Sequence, residues 1–268
     1  MKIVTLIENL VYQQDLTAEH GLSLYIETEN KKILFDMGYS GSFLKNAEIL
    51  GIDISEIDAV IISHGHNDHT GGLYPFLKIN SKAKVYIKKE AFLPKYGGND
   101  RFIGIPYEPL LLDGRVEYVT NITEIDKNIF IMPDIPIVDS NDKHFHHFKI
   151  KKPSGFEEDE FQDELYLAII QDDKLSIISS CSHRGITNIV KAAIEHFNLP
   201  VNMILGGFHI KDCSCYQYIT ITNYFEQISP KSLGVCHCTG VEKYADLVSQ
   251  CYARVFYNHT GNEISLSF

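Results

Sequence analysis

The fold class this sequence predicts is an α/β sandwich, and three observations predict it. Short apolar runs alternate with segments of helical periodicity along most of the chain. Several of those runs end in a histidine, cysteine or aspartate beside glycine, as expected where the carboxyl ends of parallel strands line one rim of a sheet. The chain has 268 residues, 44% of them hydrophobic, enough to bury about three quarters of its unfolded surface as one large α/β domain over 1–268 without disulfides.

In order, the first third reads as strands Lys2 to Glu8, Ser23 to Glu27 and Lys32 to Asp36, a helix over Ser42 to Leu50, and the apolar strand-like stretch Ile57 to Ile62. Gly72 to Ile79 then reads as helical and Ala83 to Lys88 as a short strand. From about Glu90 to Glu164 the pattern loosens, with Pro94, Gly97-Gly98, Pro106, Pro109, Pro133, Pro136 and the charged run Glu157-Glu158-Asp159-Glu160. Strands plus a long, lid-like loop flanking a pocket are expected there. Order returns with a hairpin, Leu165 to Ile170 and Leu175 to Ser179, then a helix Ile186 to Phe197 and the strand Val201 to Leu205. A helix from about Tyr216 to Ile228, the strand Leu233 to Val235 and a helical pattern Tyr244 to Cys251 follow.

A net charge of −11 speaks against a general binder of phosphate backbones, so no nucleic-acid partner is expected. No apolar segment approaches the ~20 residues of a spanning helix, and the apolar run at Met1 is broken by Glu8, so a cytoplasmic protein without a membrane partner is expected. The six cysteines are expected to be reduced thiols. Cys251 reads as a small buried hydrophobe. Cys213-x-Cys215 and Cys236-x-Cys238, with His237, allow a separate zinc or iron–sulfur site, although the spacing differs from the usual C-x-x-C.

The run Ser63-His64-Gly65-His66-Asn67-Asp68-His69-Thr70-Gly71-Gly72 packs three imidazoles and a carboxylate into six positions at a strand end. His64 and His66 suit one ion, while Asp68 and His69, a turn further on, suit a second. Two divalent ions are expected, zinc first, with manganese or iron as alternatives. Further along, the strand-end residues His183, His209 and His237 are expected to share one rim of a sheet.

This run resembles the signature of the metallo-β-lactamase fold hydrolases, and Ile33-Leu34-Phe35-Asp36-Met37-Gly38 resembles the strand and Asp-x-Gly turn that precede it there. The resemblance implies an αββα sandwich, hydrolysis by metal-activated water, and a role for Asp36 in orienting a ligand histidine. His209, after its glycine pair, matches the superfamily's last histidine. Two features depart from the pattern. Pro153 to Glu164 lacks the usual Pro-Gly-His histidine, and Cys181 stands where the bridging aspartate is expected, with His183 two residues on. The implied ligand set is therefore His64, His66, Asp68, His69, His183, His209 and Cys181, with Asp68 also positioned to orient the nucleophilic water.

Glu8-Asn9, Glu19-His20-Gly21-Leu22-Ser23, Cys181-Ser182-His183-Arg184-Gly185-Ile186, Gly206-Gly207-Phe208-His209 and His237-Cys238-Thr239-Gly240 together resemble the branch named after dihydropterin-ribofuranosyl-aminobenzene phosphate synthase. That resemblance implies a phosphorylated or ester-type small-molecule substrate, met by His20, Arg184, His237, Thr239 and Gly240. His144-Phe145-His146-His147 reads instead as a half-exposed strand, and His196 and His259 carry no signal beyond composition. A di-iron redox protein of the same fold and a metal-binding module without turnover are the competing readings.

Overall fold

Ile3 to Ile7 and Ile33 to Phe35 are buried almost without interruption, the pattern of strands covered on both faces rather than alternating between core and water. The computed structural model describes residues 1–266. They form two compact units, one of 1–120, 146–163 and the residues from 259 on, the other of 121–145 and 164–258. The α/β sandwich class expected above is observed.

The first unit is built on a seven-stranded sheet, ordered Glu263–Ser265, Lys2–Ile7, Ser23–Glu27, Lys32–Phe35, Ala59–Ile61, Lys84–Ile87, Val116–Tyr118. The strands from Lys32–Phe35 onward are parallel, so Asp36 and the run from Ser63 leave the sheet at the same rim. The helix Ser42–Ile49 buries Phe43, Asn46 and Ala47 against it. Buried Asn46 donates to the carbonyls of Leu6 and Thr17, both at 2.7 Å, and accepts from the Thr17 N–H at 2.9 Å, which satisfies the amide and pins the loop before the helix. The helix Leu73–Ile79 packs Leu73 and Phe76 into the same core.

The second unit carries its own seven-stranded sheet, ordered Arg254–Tyr257, Ser232–Val235, Val201–Gly206, Lys174–Ile178, Tyr166–Gln171, Ile129–Met132, Thr123–Asp126. The four strands from Lys174–Ile178 to Arg254–Tyr257 are parallel, with the helices Ile186–Phe197, Cys215–Ile228 and Val241–Gln250 as the connections. The irregular stretch of the sequence is more ordered than its prolines suggested. It holds the hairpin Thr123–Asp126 and Ile129–Met132, and a three-stranded sheet of Lys95–Tyr96, Lys149–Lys152 and Gly155–Glu158. The segment 144–147, expected as a strand, is loop and turn: the His144 N–H donates to the carbonyl of the distant His183 at 2.7 Å instead of to a ladder. Cys251 is the half-buried cap of the last helix rather than a core residue. Among the described residues, no helix is long and apolar enough to cross a membrane.

The helix Ile186–Phe197 is tied to the loop before it through Asn188, whose amide donates to the carbonyls of Asp139, Asp142 and Arg184 while its oxygen accepts from Val138 and Asp139 N–H. Asn188→Ala leaves five backbone groups to find new partners. A loss of about 1–3 kcal/mol is expected in urea unfolding, with the helix content unchanged by circular dichroism.

Candidate metal centre

In the first unit the first histidine of the run, His64, lies three residues after the strand end at Ile61, and Asp36 determines how the rings are held. Asp36 is fully buried and sits at φ 57°, a left-handed backbone that aspartate tolerates better than most residues. Its Oδ1 accepts the Ser63 N–H at 2.8 Å, and its Oδ2 accepts the Ser63 hydroxyl at 2.6 Å and His69 Nδ1 at 2.9 Å. A carboxylate only accepts, so His69 must carry its proton on Nδ1, which leaves the lone pair on Nε2. Ser63 spends its single proton on Asp36, so its contact with His64 Nδ1 at 2.9 Å requires His64 to be the donor. One carboxylate thus sets the tautomer of two imidazoles, His69 directly and His64 through a hydroxyl.

The rings of His64 and His66 stand 4.7 Å apart and those of His64 and His69 4.5 Å. Burial pushes the His66 imidazole down to about 3, and burial followed by the neighbouring imidazoles of His69 and His66 lowers His64 well below its ordinary value. Both rings are neutral near pH 7, the form that offers a lone pair to a cation. Asp68 Oδ2 lies 3.6 Å from His69 Nε2 and 3.3 Å from Nε2 of the exposed His20. Phe148 and Phe161 flank the His66 ring at 5.0 and 5.2 Å. The Gly65 N–H donates to Asp163 Oδ2 at 2.7 Å, and buried Lys95 reaches Asp163 Oδ1 at 2.9 Å and Asp159 Oδ2 at 2.6 Å.

The rim of the second unit gathers its strand-end residues as expected. Donor atoms of Cys181, His183 and His209 lie within 4.8 Å of one another, and so do those of Cys181, His237 and Cys238. Ser182, His209 and His237 hold φ of 56°, 53° and 51°, non-glycine left-handed conformations of the kind that cluster at functional sites. The turn at Cys181 is fastened by Glu164, whose two carboxylate oxygens accept the N–H groups of His183 and Arg184, both at 2.7 Å. Burial raises the Cys238 thiol, but its hydrogen bonds with Cys181 and His209, and the imidazoles of His209 and His237, outweigh that and hold it well below the usual thiol range.

The remaining expected residues are placed less directly. Arg184 donates from Nε to the Ile135 carbonyl at 2.9 Å and lies over the Phe145 ring. Thr239 is buried with its hydroxyl accepting the Phe208 N–H at 3.0 Å, and Gly240, at φ 80°, caps the helix Val241–Gln250. The four-cysteine site allowed by the spacing is not formed: among the described residues, no such donor group includes Cys213, Cys215 or Cys236. Cys215 is exposed and Cys213 packs beside the apolar core. Sequence reasoning missed Glu164 and Lys95, and it set aside His144, whose ring lies 4.9 Å from that of His209. The one available signal is the cluster of histidines itself, whose alternation with phenylalanine reads as a half-exposed strand.

A family model of the metallo-β-lactamase superfamily matches residues 16–148. A protein from Methanocaldococcus jannaschii named 7,8-dihydropterin-6-methyl-4-(beta-D-ribofuranosyl)-aminobenzene-5'-phosphate synthase is 30% identical, over 90% of this chain and 88% of its own length. Another protein of that archaeon is 33% identical, over 98% of this chain and 100% of its own. A solved structure described as a metal-dependent hydrolase of the β-lactamase superfamily matches with a TM-score of 0.90 and 32% identity, covering 100% of both chains.

Proposed function

The chain belongs to the metallo-β-lactamase superfamily, and from that membership we propose that it is a metal-dependent hydrolase of a phosphorylated or ester-type small molecule. The observation that carries this reading is the set of buried imidazoles of His64, His66 and His69, two of which, His69 and His64, have their tautomers set by Asp36 directly and through Ser63. Such a set has the donor chemistry of a divalent-metal site and little value as ordinary core, since buried polar rings cost free energy that alkyl side chains do not. The proposed ligands are His64, His66, Asp68 and His69, with His183, His209 and Cys181. Divalent ions, zinc first, would be held by these residues and when bound would supply a water acidified towards neutrality and polarise the substrate's carbonyl or phosphoryl oxygen.

The side chains of this protein do the rest. Asp68 orients the water; Asp36 and Ser63 keep the lone pairs of His69 and His64 on Nε2; Glu164 fixes the turn that carries His183. Arg184 and His20 are the proposed positive or hydrogen-bonding contacts to an anionic group, and the N-terminal N–H groups of the helix capped by Gly240 are a further proposed contact. Thr239 holds the turn that presents them. The name of the archaeal synthase supports a substrate carrying a phosphate, and by extension a pterin-like compound.

The test pairs metal analysis of anaerobically purified protein with a panel of phosphomonoesters, phosphodiesters and lactone-type esters. Turnover on a phosphate or carboxylate ester is expected, abolished by a chelator and restored by zinc or manganese. Iron with redox-active spectra would overturn the reading in favour of a redox protein, and tightly held metal without turnover would overturn it in favour of a binding module.

A further inference from the structure

Three parallel strands of the second unit bring two cysteines and a histidine together in a way their separate positions in the sequence do not announce. Cys181 follows Lys174–Ile178, while His237 and Cys238 follow Ser232–Val235. The strand Val201–Gly206 lies between these two, so their axes are two strand spacings, about 9.6 Å, apart. The intervening strand ends in Gly206-Gly207, and this lets the outer turns close over it. The Gly207 N–H donates to the Ser180 carbonyl at 2.8 Å, and the Cys236 N–H donates to the Gly206 carbonyl at 3.1 Å. A Cβ on Gly207 would fall 2.6 Å from Cys238 Sγ. The glycine is therefore what makes room for that sulfur to reach the rim, where it lies 3.5 Å from the Cys181 carbonyl.

We propose that Cys181, His237 and Cys238 form a thiolate-bearing metal site that takes a soft divalent cation, zinc in preference to magnesium or manganese. The donor atoms lie within 4.8 Å of one another. Ligands of a tetrahedral zinc with bonds near 2.0–2.3 Å stand about 3.5–3.8 Å apart, so rotamer adjustment alone closes the set. Two sulfurs and one imidazole are a soft donor set, one that hard oxygen-seeking cations do not favour, and three protein ligands leave the fourth position of the tetrahedron open. Each thiol gives up its proton as the metal binds. The site goes beyond the hydrolase reading, because His237 and Cys238 are not among the ligands proposed there; only Cys181 is shared.

Cobalt(II) loaded into the full-length protein tests this. Thiolate-to-cobalt charge-transfer absorption is expected in the wild type. About half of it should disappear in Cys238→Ser and about half in Cys181→Ser, whereas Cys213→Ser and His66→Ala should retain it. Cadmium-113 resonances of the wild-type protein, which need no variant to fold, are expected to include one shifted downfield by two sulfur ligands. An unchanged band in Cys238→Ser, or a cadmium signal with one sulfur or none, overturns the proposal. Absence of chelator-sensitive turnover with the two-sulfur spectrum intact would instead defeat the hydrolase reading and leave this site standing.

Discussion

Asp36→Asn is expected to weaken zinc binding by about 10–100-fold while leaving every proposed ligand in place. The carboxylate takes three hydrogen bonds, one on Oδ1 and two on Oδ2. An amide has one accepting oxygen and one donating nitrogen, so whichever way it is turned, its NH2 faces a group that was itself a donor. If the nitrogen faces His69, the imidazole is driven to the other tautomer and its Nε2 acquires a proton where a lone pair was. If it faces the Ser63 N–H, a buried backbone donor loses its acceptor, at about 1–3 kcal/mol. Ser63→Ala separates the two effects, because it removes only the relay to His64 and keeps the direct bond to His69. Its loss of affinity should be the smaller of the two. Competition between protein and a chromophoric chelator measures both. Equal affinity in Asp36→Asn and wild type would show that the carboxylate does not set the tautomers.

The parts of this protein legible in the sequence are those that depend on neighbours along the chain. Lys32 to Asp36 is a short continuous apolar run and Ser42 to Leu50 and Ile186 to Phe197 carry helical periodicity, and the elements end within a residue or so of the expected positions. The strand-end rhythm predicts that His183, His209 and His237 share one rim, since parallel strands linked by helices carry their carboxyl ends to the same side, and Cys181 lies in a donor group with His183 and His209 and in another with His237. What stayed hidden depends on partners far away in sequence. The charged run Glu157-Glu158-Asp159-Glu160 lies in the stretch expected to be strands plus a long loop, and three of its four residues are exposed, yet Asp159 is buried. Its partner Lys95 lies 64 residues earlier, a pairing no local period can encode. Glu164 was passed over for the same reason: its value lies in two backbone N–H groups 19 and 20 residues on. Sequence spacing groups Cys238 with Cys213, Cys215 and Cys236, and it cannot show that the Cys238 donor atom lies within 4.8 Å of that of Cys181 across the strand that ends in Gly207.

That hidden ion cluster supports the second large effect, a loss of about 3–5 kcal/mol for Lys95→Met. Lys95 is 1% exposed and bonded to both Asp159 and Asp163. Burial alone would lower its pKa, but the two carboxylates outweigh that and raise it; the Asp163 carboxyl, which burial would raise, is held below its ordinary range chiefly by the Lys95 charge. Methionine fills the space of the alkyl stem but leaves two buried carboxylates facing each other without a cation. The pH dependence gives a signature that lost packing would not. In the wild type a depressed Asp163 contributes stability above the ordinary carboxylate pKa, and loses it as pH falls through the depressed value. In Lys95→Met, burial and mutual repulsion raise both carboxylates, so the penalty is full near neutrality and relieved as protons bind on acidification. The stability gap should therefore narrow between about pH 7 and pH 5, measured by urea unfolding of the two proteins side by side. Asp159→Asn in the Lys95→Met background should recover part of the loss at neutral pH. Because Asp163 also accepts the Gly65 N–H between His64 and His66, the variant is expected to bind zinc less tightly even where it is fully folded. A gap that stays constant across this pH range would assign the whole loss to packing and remove the charge cluster from the support of the histidine run.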